Sequence, residues 1–384
     1  MKLSFSYITL SLKSRTLLTF GFSLLLLSTC VSPADIEPGE FDPILVVEGF
    51  ITDDFGPHEI RVTRVTRFAG VTDGGGIRRV EASLSIIDDQ GNETPLIQRN
   101  LVRKEIFNEP PGCFPNLAFV EGPSNYMTPD DFRGEVGRTY TLQIIVGDQV
   151  YRSEPQTIIS TPAIESLSLS FVELPSVEES TSRSGVDIFA EWNDPEGNDF
   201  YTWRINGIYR IATPPLGGTA CCLYDPRDGG AMDCWINETN IDGSVTALSD
   251  RFFNGGPAVE KVAFLEDDGL RFASQTVPGD KQYYIEVEQY RISEEAFNFL
   301  ETIETISSID GEIFDPPPLS VRGNIFNQDD QEERVIGFFG AYSVQRKDIF
   351  VPSSLLPFRQ RFTRPCGDCR LRRGAQTEIP DPYK

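Results

Sequence analysis

Histidine is almost missing from this chain: His58 is the one such residue in 384. Catalytic triads with an imidazole base, and zinc sites built on several histidines, are thereby excluded. His58 itself, between Pro57 and Glu59, reads as an exposed loop residue. A nucleotide-binding loop is missing too. Gly74-Gly75-Gly76 has no following Lys-Ser/Thr and no helix to present backbone amides to phosphate. Positive charge is scarce, with 34 Lys and Arg against 58 Asp and Glu and a formal net charge of −24. Such a body would release few counterions from a phosphate backbone, so no nucleic-acid partner is expected. Cations, basic partners or solubility at a surface all fit that charge. No apolar run reaches the roughly twenty residues that a membrane-crossing helix needs, and no internal repeat of fixed period is visible.

What is present begins at the amino end. Lys2, Lys13 and Arg15 lead into an apolar run from Thr16 to Leu27, closed by Ser28, Thr29 and Cys30. That order reads as an export signal, residues 1–29. The cysteine at its end predicts lipoprotein processing, with Cys30 acylated and its acyl chains holding the protein on a membrane. The alternative is an ordinary cleaved signal with an incidental cysteine. Residues 30–42 carry Asp35, Glu37, Glu40 and Asp42 among prolines and read as an extended acidic tether.

Beyond the tether, the 27 Phe and 12 Tyr argue against disorder, and 32 Gly and 27 Pro between short β-prone runs predict a mainly β chain. Two tandem immunoglobulin/fibronectin-like β-sandwich domains are expected, over 43–160 and 161–354. In the first, Ile44 to Ile51 is an apolar run of strand length. Ile60 and Val62, then Ala82, Leu84 and Ile86, then Tyr140, Leu142 and Ile144 alternate with polar residues. In the second, strands are expected at Glu165 to Val172, Val186 to Trp192, Tyr201 to Ile208 and Gln282 to Tyr290, the last with Tyr283, Ile285 and Val287 on one face. Later strands follow at Val335 to Val344 and Lys347 to Val351. One helix is predicted over 293–306, capped by Ser293 with Glu294 and Glu295 in its positive first turn. Its stripe of Ala296, Phe297, Leu300, Ile303 and Ile306 reads as a seal on the sheet. Residues 355–384 form an Arg- and Cys-rich tail.

Six cysteines besides Cys30 remain: Cys113, Cys221, Cys222, Cys234, Cys366 and Cys369. An even number in an exported chain reads as disulfides, with fifteen possible pairings. The Cys366-Gly-Asp-Cys369 spacing leaves half a zinc site or a redox pair as alternatives. Carboxylate pairs (Asp194 with Glu196, Asp267 with Asp268, Asp329 with Asp330) are too numerous for any one to point to glycoside hydrolysis. The corner from Asp194 to Asp199 offers oxygen ligands but lacks the spacing and closing glutamate of a calcium loop. No catalytic residue, metal or cofactor is therefore expected. Arg359, Arg361, Arg364, Arg370, Arg372 and Arg373 stand out in an acidic protein. They either pair with the protein's own carboxylates or dock an acidic patch on a partner barrel or lipopolysaccharide phosphates.

Several of these segments, taken in order, resemble a family of Bacteroidota outer-membrane lipoproteins known as domain of unknown function 4249. The matching segments are Ile44-Leu45-Val46-Val47-Glu48-Gly49-Phe50-Ile51, Cys234-Trp235, Tyr283-Tyr284-Ile285-Glu286-Val287-Glu288-Gln289-Tyr290 and Ile292-Ser293-Glu294-Glu295-Ala296-Phe297. Further on come Gly311 to Pro318, Gly323-Asn324-Ile325, Val335-Ile336-Gly337-Phe338-Phe339, Cys366-Gly367-Asp368-Cys369 and Pro380. The ending Asp381-Pro382-Tyr383 departs from the aromatic pair with Trp that is commoner there. The resemblance implies location better than activity: a lipid-anchored outer-membrane protein, facing outward, accessory to a TonB-dependent receptor. No catalytic residue comes with it. The expected function is non-enzymatic ligand binding or gating for such a transporter. The alternatives are a surface adhesion or structural module, or a carbohydrate-active enzyme with paired carboxylates.

Overall fold

Strands of alternating polarity organise the chain. A computed structural model describes residues 43–65, 77–99, 124–174, 183–213, 232–241, 247–267, 271, 283–307, 321, 323–352, 355, 369 and 374–384. The described chain is mainly β, with mostly antiparallel sheets stacked in pairs and one α-helix among the described residues. Pro43–Lys384 forms one unit. No helix among the described residues is long and apolar enough to cross a membrane, which does not bear on strands.

The first layer pair begins with β1 (Ile44–Thr52), β2 (Glu59–Val65), β3 (Ile77–Arg79), β4 (Ser83–Asp88), β5 (Glu93–Pro95), β6 (Ile97–Arg99), β7 (Ser124–Met127), β8 (Thr139–Val146), β9 (Gln149–Ser153) and β10 (Gln156–Thr157). Period-two side chains send Leu45, Val47, Ile51, Ile60 and Val62 inward from one sheet. Leu84, Ile86, Leu142, Ile144 and Tyr151 meet them from the other, forming one core. Each of these side chains contributes about 1.5–3 kcal/mol by leaving water.

The second pair is built from β11 (Ile164–Leu174), β12 (Arg183–Asn193), β13 (Phe200–Thr213), β14 (Met232–Glu238), β15 (Ala247–Ser249), β16 (Pro257–Glu266), β17 (Tyr283–Ile292), β20 (Val344–Val351) and β21 (Ala375–Gln376). A three-stranded sheet, β11-β12-β16, faces a sheet ordered β20-β17-β13-β14-β21. Its core centres on Trp192, fully buried against Tyr201, Trp203 and Phe253 at ring separations of 5.3, 5.7 and 5.7 Å. Tyr283, Ile285 and Val287 point into it from one face of β17, as their alternation predicts.

Two strands depart from the expected division at residue 160. β18 (Ile325–Asn327) pairs antiparallel with β9, and β19 (Val335–Tyr342) pairs parallel with β1, Leu45 opposite Val335 through Thr52 opposite Tyr342. The segment expected as a second-domain strand thus completes the first sheet. The reason is apolar: Val335, Phe339 and Ala341 face the first core, where β1 offers a free edge. Gly337 makes the close approach possible. Its φ is +128°, and a Cβ there would lie 1.8 Å from the Val47 carbonyl oxygen.

Ser343 alone separates β19 from β20, and there the chain passes between sandwiches. The Asp53 carboxylate accepts bonds from Ser343 Oγ and the Val344 amide, both 2.8 Å. Thr161 Oγ1 donates to the Ser343 carbonyl at 2.7 Å and accepts from the Arg291 amide at 3.0 Å. The α-helix α1 (Glu294–Ser307) follows β17, and Ser293 Oγ accepts the Ala296 amide as the cap expected there.

Candidate functional site

The period-two rule that fills the two cores also sets out what remains outside them. On β1 and β19, Val46, Phe50, Ile336, Phe338 and Tyr342 face away from the first core. On β13 and β17, Thr202, Arg204 and Tyr290 face away from the second. These outward faces meet, and α1 closes one side with Ala296, Phe299, Leu300 and Ile303. A cleft of about 340 Å³ remains between them.

Its walls are aromatic. Phe50 packs edge-on to Tyr290 with centroids 5.2 Å apart and against Tyr342 at 5.3 Å, and Phe299 lies 5.5 Å from Phe338. Among the described lining residues the charged groups are Glu48 and Arg204. Glu48 is exposed at the rim and bonded to Arg61 at 3.3 Å. The Arg204 guanidinium sits 4.8 Å from the Phe50 centroid, over the ring face. Behind this wall, Glu288 accepts the Tyr290 hydroxyl at 2.6 Å and Arg346 at 2.9 Å, and Arg346 also reaches Asp54. Burial, then Glu288, holds the Tyr290 hydroxyl well above its ordinary pKa. Burial, reinforced by Glu288, raises the Glu286 carboxyl. Tyr290 therefore keeps its proton and acts as a fixed donor. Chemically, the arrangement offers apolar and aromatic contact with one stacked cation, which suits binding.

Residues 31–348 match the family described as Domain of unknown function (DUF4249). The chain belongs to the DUF4249 family. No curated protein matches it. The DUF4249 match covers every residue that lines the cleft and ends within β20, before the arginine-rich tail and β21. Within the matched region, four of the segments singled out from sequence fall on β1, β17, α1 and β19, which help wall the cleft; Cys234-Trp235 falls on β14, Gly323-Asn324-Ile325 leads into β18, and Gly311 to Pro318 lies outside the described residues.

Of the expected site residues, Cys30, Cys113, Cys221, Cys222 and Cys366 lie outside the described residues. So do Arg359, Arg361, Arg364, Arg370, Arg372 and Arg373. Cys234 and Cys369 form a disulfide with Cα atoms 5.9 Å apart. Cys369 is therefore bonded to β14 and not to its neighbour Cys366. The last residues of the expected tail dock on the protein itself. Ala375 and Gln376 pair with Ile236 and Trp235, and Tyr383 packs tilted against Trp235 with ring centroids 4.2 Å apart and donates to the Ile208 carbonyl at 2.6 Å.

His58 is a correction. It is half-buried, 5.8 Å from the Phe132 ring, with Nε2 3.2 Å from the Asp54 carbonyl oxygen, and burial lowers its pKa to about 4. The helical stripe packs as expected in part, with Phe297 and Leu300 set against the buried cluster that holds Ala296. Ala296 is buried as a seal would be, while Leu300 and Ile303 are half-buried and line the cleft. Asp329 and Asp330 stand exposed in the turn before β19, their amides bonded to the Asn327 carboxamide. The cleft residues Phe50, Arg204 and Tyr290 were missed in the sequence. The available signal was their place on the outward phase of strands whose inward phase is mainly apolar and aromatic.

Proposed function

We propose that this DUF4249 protein is an outer-membrane lipoprotein, held by acyl chains on Cys30 and facing outward. In this reading it serves a TonB-dependent transporter as a non-enzymatic ligand-binding or gating accessory. The observation that carries the binding role is the cleft: an aromatic cavity of about 340 Å³ with one stacked arginine, within the size range of small-molecule sites. The occupant it favours is a small solute with an apolar body and one anionic or hydrogen-bond-accepting group. Apolar walls take the body, and Arg204 takes the acceptor. The location rests on the leader's order of basic segment, apolar run and Cys30. The buried Cys234–Cys369 disulfide suits an oxidising compartment. The transporter partnership rests on resemblance to Bacteroidota outer-membrane lipoproteins.

Two measurements test this reading. Extraction of native membranes in mild detergent is expected to recover the protein with a β-barrel receptor and an acylated amino terminus. Recovery alone, with an unmodified cysteine, overturns the transporter role. For the cleft, anilinonaphthalene sulfonate serves as the probe. Arg204→Ala is expected to weaken its binding by about tenfold, one charge-assisted contact. Unchanged binding removes the cleft as the site.

A further inference from the structure

The corner between β12 and β13 carries a second feature, independent of the cleft. Asp194 and Asp199 bracket this corner, and the turn after β15 brings Asp250 beside them. Backbone bonds fix the meeting: the Asp250 amide donates to the Asp199 carbonyl at 2.9 Å, and the Asp194 amide to the Gly256 carbonyl at 2.8 Å. The three carboxylates are 5, 3 and 1 % exposed. One oxygen from each lies within 4.8 Å of the others. Tyr201 donates to Asp194 Oδ1 at 2.6 Å, Gly255 N–H to Asp194 Oδ2 at 3.2 Å, and the Arg291 guanidinium to Asp199 Oδ1. Asp199 Oδ2 and Asp250 Oδ2 are buried without a hydrogen-bond partner.

Three ionised carboxylates against one guanidinium would leave two negative charges out of water, which a bound cation would compensate. We infer that Asp194, Asp199 and Asp250 form a binding site for a hard divalent cation of the calcium type. All three side chains offer oxygen, which selects calcium or magnesium over the softer metals that take imidazole or thiolate. Oxygens each about 2.3–2.6 Å from calcium lie at most about 5 Å from one another, which matches the observed cluster. The unpartnered Oδ2 atoms are the free ligands. Arg291 and Tyr201 hold the opposite sides of their carboxylates in place, the usual outer-shell role. The irregular set suits calcium, which tolerates such geometry and completes its shell with water, better than magnesium with its strict octahedron. The corner lacks the closing glutamate of a calcium loop because Asp250, from a distant turn, occupies that role.

The test uses the full-length protein, purified in detergent and stripped with EDTA at pH 7.5. Calcium at about a hundred times its Kd is expected to raise Tm by about 5 °C, with magnesium less effective. Asp250→Asn, nearly isosteric, is expected to lose that response. Terbium provides a reading that needs no variant, since Tyr201 touches a ligand and would sensitise its luminescence, which calcium should quench by displacement. No Tm shift together with no terbium signal overturns the site. An undiminished calcium response in Asp250→Asn overturns the ligand assignment, and an equal response to magnesium overturns the preference for calcium.

Discussion

His58 shows how one side chain acquires a pH dependence from its packing. Burial lowers its folded pKa to about 4, against 6.5 in the unfolded chain. Between those values the unfolded chain binds a proton that the folded one refuses. Stability supplied by neutral His58 is thus complete above pH 6.5 and falls as pH drops toward 4. The buried carboxylates Asp199 and Asp250 have raised values and work in the opposite sense, so the comparison must be made against a variant. Urea unfolding at pH 7 and pH 4.5 should show a loss of about 1–3 kcal/mol in the native chain that is absent in His58→Gln. Parallel pH profiles for the two would show that the ring is not buried in solution. Gly337 makes a second residue-scale case. Its φ of +128° and the Val47 carbonyl leave no room for a methyl group. Gly337→Ala is expected to cost about 3 kcal/mol or more in the same assay, and a cost below 1 would contradict the observed β1–β19 approach.

At the scale of elements, the crossing from β19 to β20 depends on Asp53. Asp53→Ala strands Ser343 Oγ–H and the Val344 amide, at a cost of about 2–3 kcal/mol, whereas Ser343→Ala should cost about 1. Because both remove a shared bond, the double variant should cost less than the two together. Strict additivity in chemical denaturation would mean the joint does not act as a unit. The elements themselves were largely legible in the sequence. Tyr283, Ile285 and Val287 on β17, Leu142 and Ile144 on β8, and the Ser293 cap of α1 all announce their structures through local spacing. What local spacing does not carry is partnership across long separations. Nothing near Ile44–Thr52 indicates that its neighbour is Val335–Tyr342, and nothing near Asp194 indicates Asp250. The cleft was hidden for the same reason, since it forms where two outward strand faces meet.

For the whole molecule, the Cys234–Cys369 bond closes a loop of 135 residues inside the second core. Chain entropy alone assigns such a closure about 4–5 kcal/mol, and natural examples fall near 2–5. Cys234→Ala/Cys369→Ala is accordingly expected to lose about 3 kcal/mol and lower Tm. The loss should be equal with and without reductant in the variant, and an unchanged Tm would rule out a structural role. The parallel seam between β1 and β19 has a different consequence, one of timing. A ribosome releases β1 first and its mate nearly three hundred residues later, so the nascent amino-terminal half waits with an open, sticky strand until synthesis is almost complete. During that interval the unpaired β1 edge is the predicted site of mispairing with other strands. Fragments cut at the midpoint inherit the wait permanently.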